Sequence, residues 1–261
     1  MKQTYHLPTG CRYAPYLAEL IEGNHTLIAG STGAGKSVLE NAIIYALLST
    51  SYPGSPDHGK GARFVLIDPK RVELWSYRDL PHTLLYAADI DEIVNVLQSV
   101  RETIDTRLKR MRANGERKSS ECPIYVFIDE LVDLVKCKRS KEIIQLLSDS
   151  ISIARATNIF YVISTQAPNR KILLPEIVLN MNCRVALFCN YAIESRQIIG
   201  DDSATTLPEH GTGIVQQNLK RYSISIPFYS DEQLQQITEH WTKQNYKDRP
   251  LRMIMNMITG R

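Results

Sequence analysis

Gly30, Gly33, Gly35, Lys36 and Ser37 fall within one short stretch, residues 24–39, NHTLIAGSTGAGKSVL. They fill every fixed position of the pattern G-x-x-x-x-G-K-[ST], the spacing of a phosphate-binding loop. The chemistry explains the spacing. Glycines let the backbone curl with no Cβ in the way, so the N–H groups of Gly30, Ser31, Thr32, Gly33, Ala34, Gly35, Lys36, Ser37 and Val38 can surround one phosphate chain. A helix starting near Gly35 adds its positive end. Lys36 can reach the outer phosphates, and the Ser37 hydroxyl can face a magnesium ion. An apolar strand, residues 26–29, must lead into the loop, and a helix with apolar spacing from Val38 to Leu48 must lead out.

Two later stretches carry the groups that would act on a bound phosphate. IYVFIDE, residues 124–130, is an apolar run ending in two acids, the pattern of a Walker B strand. Asp129 is expected to share the magnesium ion with Ser37, and Glu130 to act as the base that orients water. IFYVIST, residues 159–165, is a further apolar run that ends at Gln166, a polar group suited to sensing the last phosphate. Together these residues predict a site that hydrolyses the nucleotide it binds, with ATP and Mg2+ as cofactors.

The elements that must position these groups follow the same alternation. Apolar runs at residues 64–69, 84–89, 124–130, 159–165, 183–189 and 211–217 read as strands. Helical periodicity marks residues 91–111, with Asp89 or Asp91 at the cap, and residues 141–154; Glu194, Ser195 and Arg196 open another helix. This order predicts an α/β fold with a mostly parallel central sheet and helices on both faces. Residues 1–23 read as a partly extended lead-in packed on the outside, residues 51–61 as a Pro- and Gly-rich loop, and residues 241–261 as a C-terminal tail around a domain spanning 24–240.

Composition excludes several classes. With 43% hydrophobic and 23% charged residues, the chain is neither disordered nor fibrous. No apolar run approaches the roughly 20 residues that cross a bilayer, and the N-terminus lacks a secretory pattern, so the cytoplasm is expected. The five cysteines, Cys11, Cys122, Cys137, Cys183 and Cys189, form no C-x-x-C pair and are expected to be reduced. A net charge of +3 is mild. Basic residues cluster at Arg107, Lys109, Arg110, Arg112, Arg117 and Lys118 and again at Lys136, Lys138, Arg139 and Lys141. Such runs attract phosphate backbones but are more often solvated surface.

With these residues in place, the chain resembles the FtsK/SpoIIIE family of DNA-translocating ATPases. The resemblance rests on residues 24–44, on FVLIDPKRVELWSYRDLPHTL at 64–84, YVFIDELVDLV at 125–135, IARATNIFYVISTQAP at 153–168, ESRQIIGDDSATTLPEHGTG at 194–213 and PFYSDEQLQQI at 227–237. It implies a RecA-like ATPase core working as a homo-oligomeric ring, a hexamer, that moves double-stranded DNA. Arg155 stands where the family is thought to place an arginine that reaches the neighbour's nucleotide in trans, and Arg196 is the second choice for sensing nucleotide. Asn169, Arg170 and Lys171 would face the pore and touch DNA. Ala167 replaces the arginine of the family's usual TQRP. The pattern, without a membrane span, long linker or winged-helix segment, reads as a bare motor or a piece of a longer protein. The expected setting is a plasmid, conjugative element or phage, with a membrane-anchored or replication/transfer partner and no direct membrane insertion. Competing expectations are single-stranded DNA transfer, protein export of the type VII kind, and a non-hydrolysing ATP-dependent assembly module.

Overall fold

The computed structural model describes residues 15–50 and 61–243. In chain order its elements are α1 (Pro15–Ile21), β1 (Thr26–Ala29), α2 (Lys36–Thr50), β2 (Arg63–Ile67), β3 (Thr83–Ala87), α3 (Ile90–Asn114), β4 (Ile124–Ile128), α4 (Leu131–Lys136), α5 (Ser140–Ala154), β5 (Ile159–Thr165), α6 (Pro175–Val178), β6 (Cys183–Ala186), α7 (Ala192–Ile199), β7 (Thr212–Gln217), β8 (Lys220–Ser225) and α8 (Asp231–Lys243). The strands join in one sheet in the order β3-β2-β4-β5-β1-β6-β7-β8. Strands β3 to β6 run parallel, and β7 and β8 are antiparallel additions at one edge. This is the mostly parallel α/β sheet expected from the sequence.

Strands β4 and β5 are buried along their whole length on both faces. A parallel strand covered by helices on each side has no solvent face, hence their unbroken apolar sequences. One face of the sheet packs under α1, α2 and α8 through Ile28, Phe64, Phe127 and Val162. The other packs under α3 to α7 through Leu27, Val65, Val126 and Ile163. Register then brings three chain segments together. Ala29 pairs with Thr165 across β1 and β5, and Ile128 with Ile163 across β4 and β5, so the loops leaving β1, β4 and β5 emerge side by side.

Three features were not legible in the sequence. The lead-in is not extended from residue 15 onward: Pro15 opens α1, and Leu17, Leu20 and Ile21 are buried against α2. Proline at a first helical position is a starter, since its missing N–H has no helical partner there. Arg107 is not part of a solvated run. It is only 5% exposed and donates to the carbonyls of Thr157 (2.8 Å) and Cys122 (2.9 Å), tying the end of α3 to the amino ends of β4 and β5. Strand β8 was not foreseen because only Ile224 along it is buried, leaving no alternation to read. The 51–60 stretch, Cys11 and residues 244–261 lie outside the described residues.

The two ends of α3 follow their local signals. Asp89 caps α3 in a reciprocal arrangement with Glu92, and Gly115 ends it. Cys122, Cys137, Cys183 and Cys189 are free thiols. Among the described residues no helix is long and apolar enough to cross a membrane.

Candidate nucleotide site

The loop between β1 and α2 owes its shape to three glycines, for two different reasons. Gly33 and Gly35 adopt φ values of 81° and 92°, a region that L side chains rarely enter. Gly30 has an ordinary φ but packs so closely that an added Cβ would lie 2.8 Å from the Leu187 Cβ and 3.1 Å from the Phe188 carbonyl oxygen. The same contact stitches the loop to the segment after β6. Ser31 N donates to the Phe188 carbonyl at 2.9 Å, and Asn190 N donates to Ser31 Oγ at 2.8 Å.

Lys36, the first residue of α2, is buried and its Nζ turns back to donate to the carbonyls of Gly30 and Ser31, each at 2.9 Å. Burial lowers its pKa, while Glu130, Glu40 and Asp129 pull it back up. Gln166, leaving β5, accepts a hydrogen bond from the Thr32 hydroxyl at 2.9 Å, so the residue after the central strand touches the phosphate loop itself.

Glu130 caps α4. Its carboxylate accepts from Val132 N (3.3 Å) and from Gln166 N (3.2 Å), and Lys70 stands 3.8 Å away, also 3.8 Å from Asp133. Asp129 is buried, and its pKa is pushed up to about 7, first by burial and then by the nearby charges of Asp68 and Glu73. Asp68, at the end of β2, accepts from Leu74 N with one oxygen and leaves the other buried without a partner. Glu40, one turn along α2 from Lys36, is fully buried beside the Ser164 hydroxyl. That hydroxyl also lies against the Asp129 carbonyl, to which it donates. Burial, with Asp129 next, holds the Glu40 carboxyl far above its usual range.

This surplus of buried acid fits a divalent cation. Ser37 and Asp129 offer a hydroxyl and a carboxylate, the hard oxygen donors magnesium takes. Among the described residues no three His, Cys, Asp or Glu side chains form a metal-holding group. The ion would therefore need the nucleotide's own phosphate oxygens to fill its shell.

Arg155 is not at this site. It follows α5 and precedes β5, so the seven residues of β5, roughly 20 Å of strand at about 3.3 Å per residue, separate it from Gln166. It is exposed and donates to Asn182 Oδ1 at 2.8 Å. Arg196 lies on α7 near the loop but turns outward into an ion pair with Asp202 at 2.5 Å. Arg170 and Lys171 are exposed beyond Gln166, whereas the Asn169 side chain accepts from Lys171 N at 3.0 Å and so shapes its own turn.

Four residues of the site were not foreseen: Glu40, Asp68, Lys70 and Glu194. Glu194 accepts from Tyr191 N at 3.4 Å and lies 3.5 Å from Ser31 Oγ. A signal existed for the first three, namely a lone acid in the apolar helix after Ser37 and an Asp-Pro-Lys closing a buried strand.

A family model described as the FtsK/SpoIIIE family matches residues 1–202. The chain is 30% identical over 235 residues to the DNA translocase FtsK of Streptococcus agalactiae serotype V, an alignment covering 82% of this chain and 28% of that protein. It is 28% identical over 265 residues to the DNA translocase FtsK of Pseudomonas syringae pv. tomato, covering 87% and 32%. The chain thus spans under a third of the length of these relatives. Among solved structures, the pCW3 conjugation coupling protein TcpA, in monomer form with ATPgS, superposes with a TM-score of 0.70 at 22% identity over 85% of this chain and 66% of that one. The cytoplasmic domain of the type VII secretion ATPase EccC of Thermomonospora curvata gives 0.70 at 17% identity over 87% and 29%. At these identities the likeness speaks to the fold.

Proposed function

The chain belongs to the FtsK/SpoIIIE family of P-loop ATPases, and from that premise we propose that it is a motor that hydrolyses Mg-ATP to move double-stranded DNA. The carrying observation is the division of catalytic groups between the two ends of one sheet. Lys36, Ser37, Asp129, Glu130 and Gln166 converge at the carboxyl end, while Arg155 stands exposed at the amino end. Lys36 holds the outer phosphates and Ser37 and Asp129 the magnesium ion. Glu130 orients the attacking water and Gln166 reports the last phosphate to the phosphate loop through Thr32. Arg155 is too far to serve its own site, so it serves a neighbour's, in a head-to-tail ring that we assign as a hexamer.

DNA as the substrate is supported by relatives that carry the name DNA translocase, and the duplex form is the part of the reading that the DNA arms of the ATPase assay decide. Arg170 and Lys171 extend from the Gln166 turn, where a phosphate backbone could be coupled to the state of the nucleotide. Arg196 takes a structural role through Asp202. We assign the DNA to a plasmid, conjugative element or phage, with a membrane-anchored or replication/transfer partner.

Steady-state ATPase activity measured without DNA, with single-stranded DNA and with duplex DNA tests the reading. Turnover should rise with duplex and vanish in Lys36→Ala. Turnover indifferent to every DNA would remove the translocase reading, and a response to single strands alone would replace it with strand transfer.

A further inference from the structure

The phosphate loop has two unlike flanks. On the β5 flank stand Gln166, Glu130 and the buried acids, the groups that would meet the reacting end of a nucleotide. On the β6 flank the segment from Leu187 to Asn190 is bonded along the loop and carries no charge. A nucleoside triphosphate is asymmetric. If its last phosphate turns to Glu130, its base must leave toward the other flank.

Tyr191 stands there. It is the residue after Asn190, whose N–H is held by Ser31 Oγ, so its backbone is fixed to the loop by a 2.8 Å bond one residue away. Two further bonds set its direction, Tyr191 N to Glu194 Oε2 at 3.4 Å and Glu194 N to the Tyr191 carbonyl at 3.0 Å. Yet the side chain is 67% exposed, and Ile193 two residues on is 58% exposed. Trp75, by contrast, is exposed but carries Arg78 over its face at 3.6 Å and Tyr86 against its edge. A ring held at the backbone and open on its face loses little freedom when something flat covers it.

We propose that the Tyr191 ring is the shelf on which the base of the bound nucleotide stacks, with Ile193 bordering it. This rests on the reading of the loop as a nucleotide site and adds the subsite that the phosphate contacts leave undefined. The subsite takes any nucleoside triphosphate, with purines favoured by their larger face, because stacking uses the face of the base and not its edge.

Binding measured on the full chain with ATP, with inorganic tripolyphosphate and with the fluorescent base analogue ethenoadenosine triphosphate tests the shelf. Tyr191→Ala should weaken ATP about tenfold or more and leave tripolyphosphate affinity unchanged. Tyr191→Phe should keep both. Fluorescence quenching of the bound analogue should be present in the wild type and in Tyr191→Phe and lost in Tyr191→Ala. Wild-type affinity for ATP in Tyr191→Ala, with or without a change in self-association, would overturn the proposal, as would an equal loss for ATP and tripolyphosphate. If the wild-type chain bound neither ligand, the nucleotide site itself would fall, and the shelf with it.

Discussion

At the carboxyl end of the sheet Lys36, Glu130 and Gln166 each have a partner inside the chain, whereas at the amino end Arg155 is exposed and, among the described residues, donates to Asn182. The first end is self-satisfied: carbonyls stand in for the phosphates at Lys36, and N–H groups for the water at Glu130. A ligand entering there must replace bonds already made. The second end offers an exposed cation near the buried His25, and Ser119 N donates to the carbonyl of Ala156 at 2.8 Å, which brings the stretch with Arg117 and Lys118 to the same end. An acid-rich end and a basic end on one rigid sheet suit head-to-tail contact between copies, where the arginine of one chain meets the phosphate charge on the next.

The largest effect that could break this comparison concerns Arg155. In Arg155→Ala, ATP turnover should fall by about a thousandfold or more, with ATP affinity of dilute chains unchanged. Glu130→Gln should lose about a hundred- to ten-thousandfold in turnover and still bind ATP. An equal mixture of the two variants sharpens the test. Head-to-tail assembly would pair an intact Glu130 with an intact Arg155 at some contacts, so part of the turnover should return; a mixture as inactive as its parts would mean that Arg155 does not act on a neighbour's site.

A smaller effect separates the two ends by pH. Burial, with Arg155 next, lowers the His25 pKa from 6.5 to about 4, and its Nδ1 accepts from Tyr161 N at 3.0 Å. Between those values the unfolded imidazole binds a proton that the folded one refuses. Stability is therefore full above pH 6.5 and declines as pH falls toward 4, by on the order of 3 kcal/mol. Denaturant unfolding across that range should show the slope, and His25→Gln should flatten it.

Two arginines on one helix give the finest contrast. Arg107→Ala should cost about 2–3 kcal/mol, because buried carbonyls of Thr157 and Cys122 lose their donor. Arg112→Ala, on the exposed side, should change stability by less than about 0.5 kcal/mol. Equal losses would mean that the basic cluster is structural throughout.

Much of the site was legible because its chemistry is local. Gly30 to Ser37 form a loop by their own backbone preferences, and the apolar runs before Asp129 and Gln166 each announce a buried strand. Arg107 read wrongly because six basic residues in a short stretch look alike until packing separates them. α1 was hidden because its turns are defined by what they bury, and β8 because one buried residue makes no pattern.

The sequence by itself determined the phosphate loop, the strand that carries Asp129 and Glu130, the alternation that makes a parallel sheet, and the family. Those depend on residue type and short spacing. Tertiary structure alone decided that Gln166 meets Thr32, that Glu40 adds a buried acid beneath the loop beside Ser164, and that Gly30 is small because Leu187 lies against it. Each depends on which strands lie side by side and in what register, and contacts between residues more than a hundred positions apart leave no trace in local spacing.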